Sequence, residues 1–277
     1  MFGNILVHLP TELPVRATVN GSISFALSTG AHLDVVAIGY ERIIILLAAL
    51  SGVAVTPVFE IEQARALEKA EAALRVFDLR ARSAGISYAS RALSAVPAEA
   101  RRIICASARV HDMTIVTQPQ SGYESYDNVI PKEILLRAGK PVLYLPSVIR
   151  GAFLARRIGI CWDGSRLAAR ALHDAMPLLR EADALTIIAT TAAHKVPAES
   201  SAEHLGQYLA RSGLPAKIVS LSASQSVHRA LLSLVADESL DLLVMGGYGH
   251  SRLQERLLGG ISGGLLRANV IPVLMSH

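Results

Sequence analysis

Short apolar, β-rich runs alternate with longer amphipathic stretches along all 277 residues of the chain, and the alternation occurs twice. The first set of runs falls at Asn4–Leu9, Asp34–Gly39, Ser87–Leu93, Met113–Thr117 and Val142–Leu145. The second falls at Ile158–Trp162, Leu185–Thr190, Ala216–Leu221, Leu242–Met245 and Val273–Met275. Between them lie segments such as Glu62–Ala84, rich in alanine, leucine, glutamate and arginine at helical spacing and followed by Gly85 as a stop. A parallel strand needs a crossover to reach its neighbour, and a helix is the usual crossover. Strand–helix alternation therefore specifies a parallel sheet covered by helices on both faces. The expectation is an α/β chain of two tandem, doubly wound, five-stranded parallel sheets.

True copies keep a nearly constant offset except where one carries an insertion. Pro141 and Pro272 lie 131 apart, Asp112 and Asp241 129, and Gly85 and Gly213 128. Nearer the amino terminus the offset is larger, 153 for Ile5 and Ile158 and 151 for Gly30 and Glu181. The first copy thus carries about twenty extra residues between its second and third strands, near 41–60. A boundary at Pro146–Ala152 gives units 1–148 and 153–277.

Composition narrows the class. Hydrophobic residues are 51% and charged residues 18%, which excludes intrinsic disorder. The formal net charge of +4 comes from scattered residues, so no basic stripe suggests nucleic-acid binding. Cys105 and Cys161 stand far apart in apolar surroundings and read as buried thiols of a reducing cytoplasm. Met1 to Pro10 has no charged n-region and no cleavage site, so cytoplasmic localisation is expected. Ile43 to Phe59 is an uncharged run of 17 residues interrupted by Gly52 and Pro57. At the lower edge of the roughly 17–25 residues that span a bilayer, with two breakers, it reads as a segment covering a core, a partner or an apolar ligand. No membrane association is expected.

The chemistry concentrates in one stretch. Leu242-Leu243-Val244-Met245 runs into Gly246-Gly247-Tyr248-Gly249, nine residues follow, and Gly259-Gly260-Ile261-Ser262 then opens a further helical segment with Leu265-Leu266-Arg267. Glycines at the carboxyl end of a strand let backbone N–H groups approach a ligand closely, and such amides beside a helix N-terminus hold phosphate. Open parallel sheets bind ligands at the carboxyl ends of strands, where the strand order switches. Neither G-x4-G-K-[ST] nor a complete dinucleotide loop occurs.

Gly246-x-x-Gly249-x9-Gly259 after an apolar strand, with Ser262, Pro272-Val273-Leu274 and the Asp163-Gly164-Ser165 that ends the copy's first strand, closely resembles the nucleotide-binding motif of the universal stress protein family. The resemblance covers the second half and, more faintly, the first. It implies a Rossmann-like fold and a stress-response protein that binds ATP, ADP or AMP, with or without Mg²⁺. By this resemblance Asp163 contacts adenosine, Thr190 lines the adenine pocket, and Met245 and Gly246 hold adenine and ribose. Gly249 would approach the ribose and α-phosphate, and Gly259, Gly260, Ile261 and Ser262 would cradle the phosphates. Gly260 stands where the family carries Ser or Thr. The missing hydroxyl removes a hydrogen bond to a charged group, about 1.5–3 kcal/mol. Thr190 also replaces a more usual apolar residue.

In the first copy the matching stretch reads Val116-Thr117-Gln118-Pro119-Gln120-Ser121-Gly122-Tyr123, followed by Glu124 to Lys132 without a glycine pair. Pro119 removes an amide, and Glu124 and Asp127 would repel phosphate. Leu9-Pro10-Thr11 replaces Asp-Gly-Ser. This half is expected not to bind ATP and to serve as a pseudo-twofold partner, in place of the homodimer of single-domain members.

The nine histidines show no H-x3-H or HExxH spacing, and no S-G-G-x-D-S motif occurs. No catalytic site is therefore read, beyond slow ATP hydrolysis at most. His250, Arg252 and Arg256 read as solvated surface beside the glycines, with phosphate contact as the alternative. A rival reading makes the chain a scaffold in which Gly260 has ended nucleotide binding and Ile43–Phe59 mediates assembly or holds an apolar ligand.

Overall fold

The computed structural model describes residues 2–41, 55–120, 122–148, 152–190, 196–221, 227–247 and 271–277. The first half carries β1 (Asn4–Leu9), α1 (Arg16–Thr29), β2 (His32–Tyr40), α2 (Val55–Ala84), β3 (Tyr88–Ala95), α3 (Pro97–Ala108), β4 (Met113–Thr117), α4 (Ile130–Arg137) and β5 (Val142–Leu145). The second carries β6 (Arg157–Trp162), α5 (Arg166–Leu179), β7 (Ala184–Thr190), α6 (Ala202–Arg211), β8 (Ala216–Leu221), α7 (Val227–Asp237), β9 (Leu242–Gly246) and β10 (Val273–Ser276). All ten strands fall where the apolar runs put them, within two residues.

The strands form one ten-stranded sheet in the order β3-β2-β1-β4-β5-β10-β9-β6-β7-β8. Each half has the same internal order and is parallel throughout. The halves meet where β10 runs antiparallel to β5, Leu274 opposite Leu143. The two five-stranded sheets are therefore fused into one, with the edge of Val273–Met275 taken by the chain's own β5. Helices cover both faces, and each of the two hydrophobic clusters draws residues from both halves. Phe25 of α1 against Phe153, ring centroids 5.1 Å apart, continues the first cluster across the join.

Most of the apolar run Ile43–Phe59 lies outside the described residues. Its last residues, from Val55, open α2, and Phe59 is about half exposed. Among the described residues no helix is long and apolar enough to cross a membrane.

The paired aspartates of the repeat perform the same task twice. Asp112 accepts the N–H groups of Gly3 and Asn4 at 2.7 and 3.0 Å, just before β1. Asp241 accepts those of Arg156 and Arg157 at 2.8 and 2.9 Å at the start of β6. Each carboxylate satisfies amides at a strand start that no neighbouring strand reaches. The Asn4 amide, followed by that of Gly3, holds the Asp112 carboxyl below its ordinary value. A depressed folded-state value means this stabilisation is complete above the unfolded-state value of about 3.9 and is lost as the pH falls through the folded-state one. Asp112→Asn should thus lower the melting temperature by a constant amount above about pH 4.5, and the gap to the parent should close below pH 4. Melting curves of both proteins between pH 3 and 7 check this; a gap that widens in acid contradicts it.

Candidate functional site

The carboxyl ends of β6 and β9 lie side by side at the point in the second half where the chain switches sides. From β6 it winds outward to β7 and β8, then returns past β6 to β9 and β10. Such a switch leaves a crevice above the adjacent strand ends, because the two connections leave in opposite directions.

Asp163-Gly164-Ser165 forms one rim. Ser165 caps α5, its hydroxyl accepting the Ala168 N–H at 3.2 Å, so the helix begins directly above the strand end. Asp163 Oδ1 accepts the Ser165 N–H at 3.0 Å, closing a tight turn. Its Oδ2 is buried and takes no hydrogen bond among the described residues. A buried carboxylate oxygen is costly to leave without a donor. The first turn of α5 carries no acidic residue, and Arg166 there is exposed.

Gly246 ends β9 on the opposite rim. A Cβ at this position would lie 2.7 Å from the Leu167 carbonyl carbon and 2.8 Å from the Ala168 nitrogen. The strand end is thus packed directly on the first turn of α5, and both rims are fixed to the same helix. Gly247 donates its N–H to the Ser276 carbonyl at 2.7 Å. A Cβ on Gly247 would lie 2.7 Å from Leu135 Cδ2, on α4 of the other half.

Among the residues expected to form the site, Asp163, Met245 and Gly246 gather at these strand ends. Met245 is 2% exposed and belongs to the core, so its main chain is what it offers a ligand. Thr190 ends β7, paired in register with Leu221. Gly249, Gly259, Gly260, Ile261 and Ser262 lie outside the described residues, as do His250, Arg252, Arg256 and the segment with Leu265-Leu266-Arg267. Among the described residues no cluster of three or more His, Cys, Asp or Glu side chains is placed to hold a metal ion.

Both cysteines are free and buried. Cys161, two residues before Asp163, is pushed up to about 12 by burial first and by the Asp163 charge second. Burial likewise raises Cys105. A thiol held protonated is a poor nucleophile. The native protein should therefore give no rapid reaction with a thiol-specific disulfide reagent, and two equivalents should appear on unfolding. Fast native labelling at either position would contradict this.

The corresponding crevice in the first half is filled from within. Asp127, one of the two acids expected to repel phosphate there, is 2% exposed and turned inward onto the loop after β1. Glu124 is exposed.

The sequence model of the universal stress protein family matches residues 155–277. Residues 155–277 belong to the universal stress protein family. No curated protein matches the chain. Among solved structures, a universal stress protein from Archaeoglobus fulgidus DSM 4304 superposes with a TM-score of 0.71 at 16% identity, over 98% of this chain and 97% of that one. A functionally unknown protein from Pseudomonas aeruginosa PAO1 superposes at 0.59 and 16%, over 99% of this chain and 92% of that one. At such identities the likeness is one of fold, and it extends across both halves. The family match gives the Rossmann-like reading of the universal stress protein domain its footing, while the first half is reached by the structural likeness alone.

Proposed function

We propose that this protein is a cytoplasmic stress-response sensor or regulator whose C-terminal unit, residues 153–277, binds ATP or a related adenine nucleotide. Residues 1–148 act as a degenerate second copy of the same unit. The observation that carries the reading is the Asp163 carboxylate. One oxygen is spent on its own turn and the other is buried without a donor among the described residues, at the strand-order switch. A ribose or adenine N–H or O–H group would supply a donor to that oxygen, and Gly246, packed directly on the first turn of α5, fixes the opposite rim beside it. Asp163, Thr190, Met245 and Gly246 would hold the nucleoside, and Gly249, Gly259, Gly260, Ile261 and Ser262 its phosphates. When bound, the nucleotide stabilises the folded state by mass action, about 2.7 kcal/mol at a hundredfold excess over its dissociation constant. Nucleotide level then reads out as stability or assembly.

Calorimetry with ATP, with and without Mg²⁺, on protein refolded free of bound nucleotide tests this. Micromolar binding is expected. Asp163→Ala should weaken it by at least about tenfold, the scale of one hydrogen bond to a charged group, while leaving the melting temperature of the ligand-free protein within about a degree. Binding unaltered in Asp163→Ala contradicts the assignment. The Gly260 departure supports the scaffold reading as the second possibility, and no binding by the parent with binding gained in Gly260→Ser would establish it.

A further inference from the structure

The loop after β1 and the segment after β4 are clasped by two carboxylates that cross over. Asp127 Oδ2 accepts three successive backbone N–H groups, from Thr11, Glu12 and Leu13, at 2.9, 2.7 and 3.1 Å. Its Oδ1 accepts the Tyr40 hydroxyl at 3.0 Å, from the end of β2. In return Glu12 Oε2 accepts the Ser125 hydroxyl and the Tyr126 N–H at 2.8 and 3.0 Å. The Tyr126 ring packs on Tyr40 at 5.3 Å. Three consecutive amides converging on one oxygen are the arrangement by which backbones bind phosphate and other anions. The partners stand 114 to 116 residues apart, so this is no local turn or helix cap. It lies at the same strand-order switch of the first half that the candidate site occupies in the second.

The charges are inverted between the two places. In the second half the loop after the first strand presents a carboxylate, one oxygen of which has no donor among the described residues. In the first half the equivalent loop presents amides, and the carboxylate comes to it from the other rim. We propose that the amides of Thr11, Glu12 and Leu13 form an oxyanion site whose resident ligand is the chain's own Asp127, an autoinhibitory contact that keeps the first half in a ligand-bound shape and closed to external phosphate. Tyr40 completes the shell. Burial and then the charge of Asp127 raise its hydroxyl well above the ordinary value, so it remains a donor. His8, whose Nε2 lies 3.4 Å from that hydroxyl, is driven toward the neutral form by burial, with Asp127 opposing. The inference stands whether or not the C-terminal half binds nucleotide.

The test is thermal melting of the full-length protein and of Asp127→Ala in formate, phosphate or chloride at matched ionic strength. The variant should melt on the order of 10 °C below the parent in chloride, as expected when one partner of a buried charge-assisted cluster is removed. Formate and phosphate should raise its melting temperature with concentration, beyond any rise they give the parent. A variant that folds only when formate is present supports the proposal equally. A variant that responds to oxyanions no more than the parent overturns it. Amide hydrogen exchange of the unmodified protein supplies a readout that needs no variant. Thr11, Glu12 and Leu13 should be protected like the neighbouring amides of β1, and exchange at open-loop rates would also overturn the proposal.

Discussion

Removing the last six residues, Pro272–His277, is expected to abolish the native fold of the whole chain. Chain ends usually tolerate truncation because few contacts hold them. Here the end is β10, the sixth strand of ten, with β5 on one side and β9 on the other. Val273, Leu274 and Met275 are fully buried and Ser276 is 1% exposed. Burying three such apolar side chains contributes about 5–9 kcal/mol, before the two ladders of hydrogen bonds are counted. A typical domain has about 5–15 kcal/mol in all. The truncation would also leave two unpaired strand edges in the middle of the sheet, which invites aggregation. Soluble yield and a circular-dichroism melt of residues 1–271 check the expectation. Loss of His277 alone, which is exposed, should change nothing. A cooperative melt of the truncated chain near that of the parent would show that the halves fold without their shared strand.

The position of that strand was not legible in the sequence, although its existence was. Val142–Leu145 and Val273–Met275 both read as short, wholly apolar runs, the signature of a strand buried on both faces. Apolar content says nothing about which strand lies alongside or in which direction. Two sheets side by side and one fused sheet therefore give the same pattern, and the antiparallel pairing of β5 with β10 had to be seen. Asp112 and Asp241 illustrate the same division. Their alignment was visible, whereas their task, holding the amides that open β1 and β6, depends on contacts more than 80 residues apart in sequence. At the candidate site, Asp163-Gly164-Ser165 was recognisable because all three act within one turn. Asp127 was read only as a charge that repels phosphate; that it takes up three amides was not legible, because those donors lie in the loop after β1, at a separation no motif spans.

Gly39→Ala is the second large effect, and its cause is backbone rather than side chain. A Cβ built on Gly39 falls 1.7 Å from the Ala66 carbonyl oxygen and 2.3 Å from its carbonyl carbon. The approach is made possible by α2, which lays Ala66, Ala70, Ala73 and Ala81 on the sheet as buried residues. With alanine at positions 66 and 70 this end of the helix settles closer to β2 than Leu or Ile would allow, while Leu74 and Phe77 fill the core farther along the same face. Inserting a methyl group there forces β2 and α2 apart along a helix of 30 residues. The cost should reach at least about 3 kcal/mol, the upper part of the range for overpacked interiors. Gly85→Ala is the comparison, since Gly85 has φ of +67° with nothing within 4 Å of an added Cβ. It meets only the left-handed backbone penalty, about 1–2 kcal/mol. Urea unfolding of the two variants should rank them in that order. Adding Ala66→Gly to Gly39→Ala should give no rescue, because the atoms in the way are the carbonyl of residue 66 and remain when its side chain is removed. Recovery in that double variant would mean the contact is between side chains and that the helix sits farther from β2.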